Sequence, residues 1–390
     1  MREHRHFSLL VILLIASGTR PASGYSQFTH AELIDLAWAD SIRPLLLHRY
    51  PQSTERDLTR AHAYAYGGSL LQDVGYYPFG KRYFSDLTHY VRSGDFIDSL
   101  LRNARTMNEL AFAIGALSHY VGDSIGHKES INPATALTFP QLRATYGDVV
   151  TYEDAPTDHV RTEFGFDVAQ SAWDRYAPRK YRKRIGFRFA RQLLYRAFSE
   201  TYGFPAARLL GPARSALASY RWSAGFLVPV FLRAQIVLLR GRLPGESADE
   251  QQQQFLENIA HSEYATTVAA VHSGPGFSAH LVAALIWLTP KIGRLKMLDI
   301  KAPDSVTEDL FLSSVNDAGG RFRSIVAALA SSDLRTQTLS NLDLDTGNAV
   351  RTGESKLVDT THARLQAELQ ASRHGVPVNL QTYFSGFYAK

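Results

Sequence analysis

Three side chains able to bind a metal, His119, Asp123 and His127, stand four residues apart at the end of the stretch 110–127. In an α-helix steps of four drift by only about 40° each, so all three leave the same face. The residues before them, Leu110 to Leu117, are apolar and rich in Ala and Leu, which suits a buried helix. Two imidazoles and a carboxylate on a buried face are costly unless something compensates them, and a bound cation would do so. The plainer alternative is an exposed helix face that carries the three by coincidence.

Other candidate donors lie on both sides. His30 opens the stretch Thr29 to Trp38, where Leu33, Leu36 and Ala37 keep helical spacing and Thr29 is the expected N-cap. Asp73 sits among apolar and aromatic residues in 66–80, whose Gly and Pro residues predict an irregular loop. A turn-capping carboxylate is the alternative there. His89 follows, with Gly94 and Asp95 expected to stop one helix and cap the next. His159 and Glu163 are again four apart; a surface contact is their plain reading. Cleavage before Tyr25 would add a free amine and its carbonyl.

These donors are all nitrogen and oxygen. The chain has no cysteine, so thiolate ligands, disulfides and a Cys nucleophile are excluded. Such a set suits Zn²⁺ and tolerates other divalent ions. Eight side chains exceed what one tetrahedral ion can use, which points to two or three ions sharing a carboxylate.

Helical periodicity must position these residues, and it dominates the whole chain, so the expected class is all-α. Helices are predicted near 54–65, 96–104, 107–127, 306–335 and 356–373. A long connection with strand-like fragments at 148–152 is expected after Asn132-Pro133. Residues 168–202 alternate basic and aromatic side chains and read as a solvated basic face, with phosphate or a membrane surface as the alternative partner. Residues 226–241, interrupted by Pro229 and Arg233, and residues 281–290 read as core or interfacial helices, not membrane spans. The polar stretch 244–254 is the one candidate internal boundary. Beyond about residue 255 the sequence carries fewer signals. Asn341 to Gly347 is turn-rich but does not place its Gly as a calcium loop requires.

The N-terminus indicates a compartment. Arg2 and Arg5 precede an apolar run, Phe7 to Ala16, and Ala22-Ser23-Gly24 offers small residues for cleavage. Residues 1–24 read as a secretory signal peptide, and 25–390 as one mature domain, secreted or periplasmic. Removing Arg2, Arg5, Arg20 and Glu3 leaves 39 basic against 36 acidic residues, so the formal charge falls from +5 to +3. That is weakly basic and does not argue for a nucleic-acid or acidic-lipid partner.

The ordered pattern of an N-terminal aromatic, His, Asp, His, His-x-x-x-Asp-x-x-x-His and His-x-x-x-Glu resembles the zinc-dependent phospholipase C and S1/P1 nuclease superfamily. It covers residues 25–163, and Asp345-Thr346-Gly347 with Gly353-Glu354 also looks like bacterial members. The resemblance implies a multi-helix bundle around three zinc ions. One ion would use Asp73, His89, His119 and Asp123, and a second His127, His159 and Glu163. The third would use the amine and carbonyl of Tyr25 with His30, bridged by Asp123. Asp73 would orient or deprotonate the attacking water. Arg161 or Arg92 are candidates to hold phosphate.

Departures from the family are specific. Members usually begin with Trp, and this chain offers Tyr25. The Tyr25-to-His30 spacing resembles the nuclease branch, whereas Glu163 resembles the phospholipase branch. Phe28 stands where the phospholipase has an acidic choline-binding residue. Tyr90, beside His89, resembles a base-stacking aromatic of the nucleases. The expected function is therefore an exported phosphodiester hydrolase acting on phospholipid, with peripheral membrane contact. A single-strand nuclease acting on nucleic acid, or a zinc-binding envelope protein without catalysis, is the alternative.

Overall fold

The apolar run before His119 does form a buried helix, and the rest of the chain is arranged about it. The computed structural model describes residues 25–77, 80–210, 218, 220–245, 249–265, 276–331, 338–372 and 375–389. The expected signal segment 1–24 lies outside the described residues. In chain order the helices used below are α1 (Gln27–Ala37), α2 (Glu55–Gly68), α3 (Arg82–Tyr90), α4 (Ser93–Asn103), α5 (Met107–Gly126), α6 (Pro156–Ala172), α7 (Tyr220–Leu239), α8 (Phe277–Leu288), α9 (Ser305–Ser331), α10 (Lys356–Gln370) and α11 (Val378–Tyr388). Between α9 and α10 two short strands, β1 (Leu342–Asp343) and β2 (Asn348–Ala349), pair as an antiparallel hairpin. The class is all-α, as the periodicity predicts.

Every residue of α5 from Leu110 to Ser124 is buried. Helices α1, α2, α4 and α9 pack against it. The α2–α5 crossing is unusually close, and two glycines allow it. A Cβ added at Gly68 would stand 1.9 Å from the Phe112 carbonyl oxygen, and one at Gly115 would stand 2.1 Å from that of Ala65. Any larger residue would push the helices apart. This crossing sets the loop after α2, and with it Asp73, directly beside His119.

Local signals explain the ends of the helices. Thr54 and Asp57 form a reciprocal capping box on α2, and Thr106 caps α5. Other ends differ from expectation. Thr29 is not the N-cap of α1; the helix begins three residues earlier, after Ser26. Its first-turn N–H groups at Phe28 and Thr29 donate instead to the Asp167 carboxylate of α6, at 2.9 and 3.1 Å. Gly94 and Asp95 are not a stop and cap. They lie inside α4, which starts at Ser93 after Arg92 takes a left-handed conformation with φ 53°. The expected connection after Asn132 is two short helices, Asn132–Thr138 and Pro140–Tyr146, each with a proline in its first turn where no N–H is needed. Residues 148–152 form no strand; a side-chain turn from Thr151 to Asp154 replaces it.

Helix α7 is longer than expected from 226–241. A π-helical turn at Ser223–Leu227 places Pro229 in a helix's first turn, so the helix runs unbroken for 20 residues. By length and composition alone it is long and apolar enough to cross a membrane, but half of it is buried against the protein, as in a core or interfacial helix. The aromatic residues Tyr176 and Tyr181 of the basic stretch are core, while Arg179, Lys180, Lys183 and Arg184 are exposed. One hydrophobic cluster of described residues runs from Tyr25 to Phe384, with members on both sides of the stretch 244–254.

A second polar group holds α1 in place. Asp35 accepts from the Tyr66 hydroxyl at 2.7 Å and faces His62 Nε2 at 3.0 Å. His62 is a core residue stacked on Trp38, with ring centroids 3.9 Å apart. Glu32 accepts from the Ala177 N–H at 2.9 Å and from the Tyr264 hydroxyl. Burial, and then the charge of Asp35, raises Glu32 to about 8. Burial likewise raises Asp35 to about 8 and lowers His62 to about 3.

A carboxyl raised in the fold contributes stability that is complete below its unfolded pKa and is lost as pH rises through the folded one. Glu32→Gln cannot ionise. At pH 6 it should melt below the parent protein, having lost one acceptor, and the gap should narrow or reverse by pH 9. Calorimetry of both proteins with saturating zinc measures this, and a gap constant with pH would show Glu32 ionised in the fold.

Candidate metal centre

Asp123, on the buried face of α5, is the junction of the site. Its Oδ1 lies 3.3 Å from the Tyr25 backbone nitrogen, which donates to it, and 3.1 Å from His30 Nε2. Its Oδ2 lies 2.9 Å from His119 Nε2 and 3.3 Å from His89 Nε2. Asp73 Oδ1 completes this second side, 3.6 Å from His89 Nε2 and 4.0 Å from His119 Nε2. One carboxylate thus separates two sets of donors. The His30 and His119 rings stack between them at 4.1 Å.

The imidazoles are aimed by backbone carbonyls. The Nδ1–H of His89 donates to the Ser85 oxygen at 2.8 Å, that of His119 to Ser69 at 2.9 Å, and that of His127 to Leu344 at 2.7 Å. In each case the tautomer that donates through Nδ1 leaves a lone pair on Nε2 directed inward. A second partner of this kind is what fixes a metal-binding histidine.

His127 closes α5 and begins a π-helical turn, which turns it towards α6. There it forms a third group with His159 and Glu163. Glu163 Oε1 lies 2.8 Å from His159 Nδ1 and 4.0 Å from His127 Nε2. His159 Nε2 donates to the Asn132 side-chain oxygen at 2.8 Å, and the amide nitrogen of Asn132 donates to the Asp345 carbonyl at 2.8 Å.

The β1–β2 hairpin brings one more carboxylate. Asp345 Oδ1 is 3.4 Å from His127 Nδ1, and its Oδ2 accepts from the Tyr90 hydroxyl at 2.6 Å. The Asp345-Thr-Gly stretch was read as family-like, but its side chain was not placed at the site. Asp167 was missed altogether, although it continues the spacing of four from His159 and Glu163. It accepts from Ser26 Oγ, the Phe28 N–H and both the N–H and hydroxyl of Thr29. It therefore clamps the turn that joins Tyr25 to His30.

The Tyr25 ring is fully buried, its hydroxyl 2.8 Å from Ser314 Oγ. Gly126 makes room for it: a Cβ there would stand 2.5 Å from the ring. All nine expected donors are thus brought into three adjoining groups. Two other expectations are not met. The Arg161 guanidinium is committed to Asp158 and Asp299 and lies over the Phe139 ring. Arg92 is taken up by Asp95 and the Thr201 carbonyl. Tyr90 is 1% exposed, so it is no open stacking surface.

The charge of the site calls for a cation. Burial would depress His89, but its hydrogen bond to Asp123 and the charges of Asp123, Asp73 and Asp345 outweigh this and lift it to about 9. Burial, then neighbouring His119, lowers His30 to about 4. Burial raises Glu163 well above the usual carboxylate range, reinforced by Asp123, Asp73 and Asp345. Burial would raise Asp123 too, yet His119 and His30 hold it well below that range.

Among the described residues, His127 Nε2 and Asp345 Oδ1 are buried with no hydrogen-bond partner. Ligands at about 2.0–2.1 Å from a tetrahedral zinc stand about 3.3 Å apart, close to the separations seen here. The donor set fits zinc.

The open side of the centre is only the side nearest to water, since every donor on it is buried. Among the donors only Asp73, Asp345 and Glu163 retain any exposure, at 3%, 3% and 2%. Beside them Tyr76 and Tyr152 have buried hydroxyls without a partner among the described residues. Their rings lie near His89 and His159, at centroid distances of 5.6 and 6.0 Å.

The sequence profile of a family described as zinc-dependent phospholipase C matches residues 29–208. No curated protein and no solved structure matches the chain.

Two outcomes follow from the geometry. His119→Ala removes a donor that stands with Asp73 and His89 and stacks on His30. It should reduce bound zinc by at least one ion per chain and lower Tm by more than about 5 °C. Elemental analysis and calorimetry measure these, and unchanged zinc would rule out the assignment. Asp345→Asn keeps the Tyr90 contact but removes a charge beside His127. It should weaken zinc at that group about tenfold, in a chelator competition, with the fold intact.

Proposed function

Over residues 29–208 this chain belongs to the zinc-dependent phospholipase C family, and from that premise we propose that it is an exported phosphodiester hydrolase acting on phospholipids. The observation that carries the reading is the splayed Asp123 carboxylate, each oxygen facing its own set of nitrogen donors.

In this reading Asp73, His89, His119 and Asp123 hold one zinc ion, and His127, His159 and Glu163 a second. The Tyr25 amine and carbonyl with His30 hold the third, with Asp123 shared. The signal segment supports export, since cleavage after Gly24 would free the Tyr25 amine beside Asp123. When bound, the zinc ions supply charge to the phosphoryl oxygens and acidify water.

The protein's own groups do the rest. Asp73, at the open side, accepts a proton from the attacking water and aligns it. The unpartnered hydroxyls of Tyr76 and Tyr152 donate to phosphoryl oxygens that reach this side. Carbonyls of Ser85, Ser69 and Leu344 keep the histidines oriented, so that none needs to reorganise during the reaction.

The nuclease alternative has less support, because Tyr90 is buried and bonded to Asp345 rather than offered to a base. Purified mature protein, assayed on mixed phospholipid vesicles and on single-stranded DNA, tests the choice. Release of phosphorylated head groups with about three zinc ions per chain is expected. Asp73→Asn should lower kcat by about a hundredfold or more. Cleavage of DNA alone would favour the nuclease, and full zinc without any turnover would favour a binding protein.

A further inference from the structure

We propose that the paired helices α7 and α8 form a docking face for an anionic phospholipid surface. The inference rests on the function proposed above, and it names where the protein would meet the bilayer that holds its substrate.

Helix α8 buries Ala279, Val282, Ala283 and Ile286 and packs on α7. Apart from Ser278 and His280, its exposed side chains are apolar, unlike those of an ordinary surface helix. Phe277 is 85% exposed, Trp287 72% and Leu288 68%, and Ile292 just beyond the helix is 70% exposed. Leu281 and Leu285 lie half-buried between them. Large side chains gathered this way mark an interaction surface rather than scattered exposure.

Charge identifies the occupant. Neither 220–243 nor 276–298 contains an Asp or Glu. The charges present are positive, with Arg221, Arg240 and Arg242 exposed and Lys291 partly so. Lys291 Nζ donates to the Thr289 carbonyl at 2.7 Å and the Trp287 carbonyl at 3.2 Å, so a cation sits beside the exposed indole. An apolar face with a tryptophan and a basic rim matches the boundary between acyl chains and anionic head groups. A second copy of the chain would set basic rim against basic rim.

The face is fixed to the metal centre. Phe231 of α7 meets Phe164 edge-on at 5.9 Å, and Phe164 follows Glu163. Gln235 Nε2 donates to the Leu298 carbonyl at 2.9 Å, and neighbouring Met297 packs with Tyr76 and Tyr152 at the open side. Because α7 is anchored along α6, it lies on a bilayer rather than leaving the fold to cross it.

The test uses the zinc-loaded mature protein and vesicles of non-hydrolysable ether phosphatidylcholine with ether phosphatidylglycerol, so binding is read without turnover. The parent protein should co-sediment, and binding should weaken at high salt and without phosphatidylglycerol. Trp287→Ser with Leu288→Ser and Ile292→Ser should bind at least tenfold more weakly, and Phe277→Ser alone severalfold, while both keep the parent's zinc content and circular dichroism.

Vesicle binding that the variants lose, in a protein that cleaves no phosphodiester, would support the face and sink the hydrolase reading. Turnover of phospholipid by a parent that does not bind these vesicles would overturn the face alone. So would variants that bind as tightly as the parent, or a parent dimer in light scattering that the triple variant dissolves.

Discussion

A carboxylate with no exposure to water must find positive charge or hydrogen-bond donors for both oxygens, and Asp123 finds them in four different parts of the chain. Tyr25 and His30 approach one oxygen, and His89 and His119 the other. Each partner comes on a different helix or turn, so the demand of one side chain draws α1, α3 and α5 together. The glycine crossing of α2 on α5 is the steric condition for this. With larger residues at Gly68 and Gly115 the Ser69 carbonyl would no longer reach His119, and Asp73 would recede with it.

The same demand explains why so much of the chain beyond the matched region is packed into the site. Helix α9 crosses α5 and α1 and supplies Ser314 to the Tyr25 hydroxyl. The hairpin before α10 supplies the Leu344 carbonyl that aims His127 and the Asp345 carboxylate beside it. A centre assembled only from residues 29–208 would leave His127 without its orienting carbonyl. The later helices complete the geometry that the earlier ones begin.

Legibility in the sequence followed the range of the interaction. Donors on one helix, such as His119, Asp123 and His127, or His159 and Glu163, could be grouped by the helical repeat alone. Their joining into one pocket rested on resemblance, since no periodicity links α1, α3 and α6. Asp167 had the right spacing for the α6 face, but its role depends on receiving N–H groups from α1, 138 and 139 residues away. For the same reason Thr29 was misread as a cap: the partner that displaced it is remote in sequence. Asp345 was seen as a motif but not as part of the centre, because it arrives by a two-strand hairpin with too few residues to show alternation. The proline-led turns after Asn132 were read as loop because proline marks both helix starts and breaks.

The surroundings of Tyr25 suit a tyrosine. The ring fits against Gly126 and meets Phe311 edge-on at 5.7 Å. A buried tyrosine must satisfy its hydroxyl, and Ser314 does so at 2.8 Å. The ring thereby anchors to α9 a backbone whose nitrogen lies against Asp123, while Asp167 holds Ser26, Phe28 and Thr29 to α6. The start of the described chain is thus held at both its side chain and its backbone. A backbone donor that lies outside any helix is otherwise hard to place as accurately as one on a helix, where the ladder of hydrogen bonds fixes it.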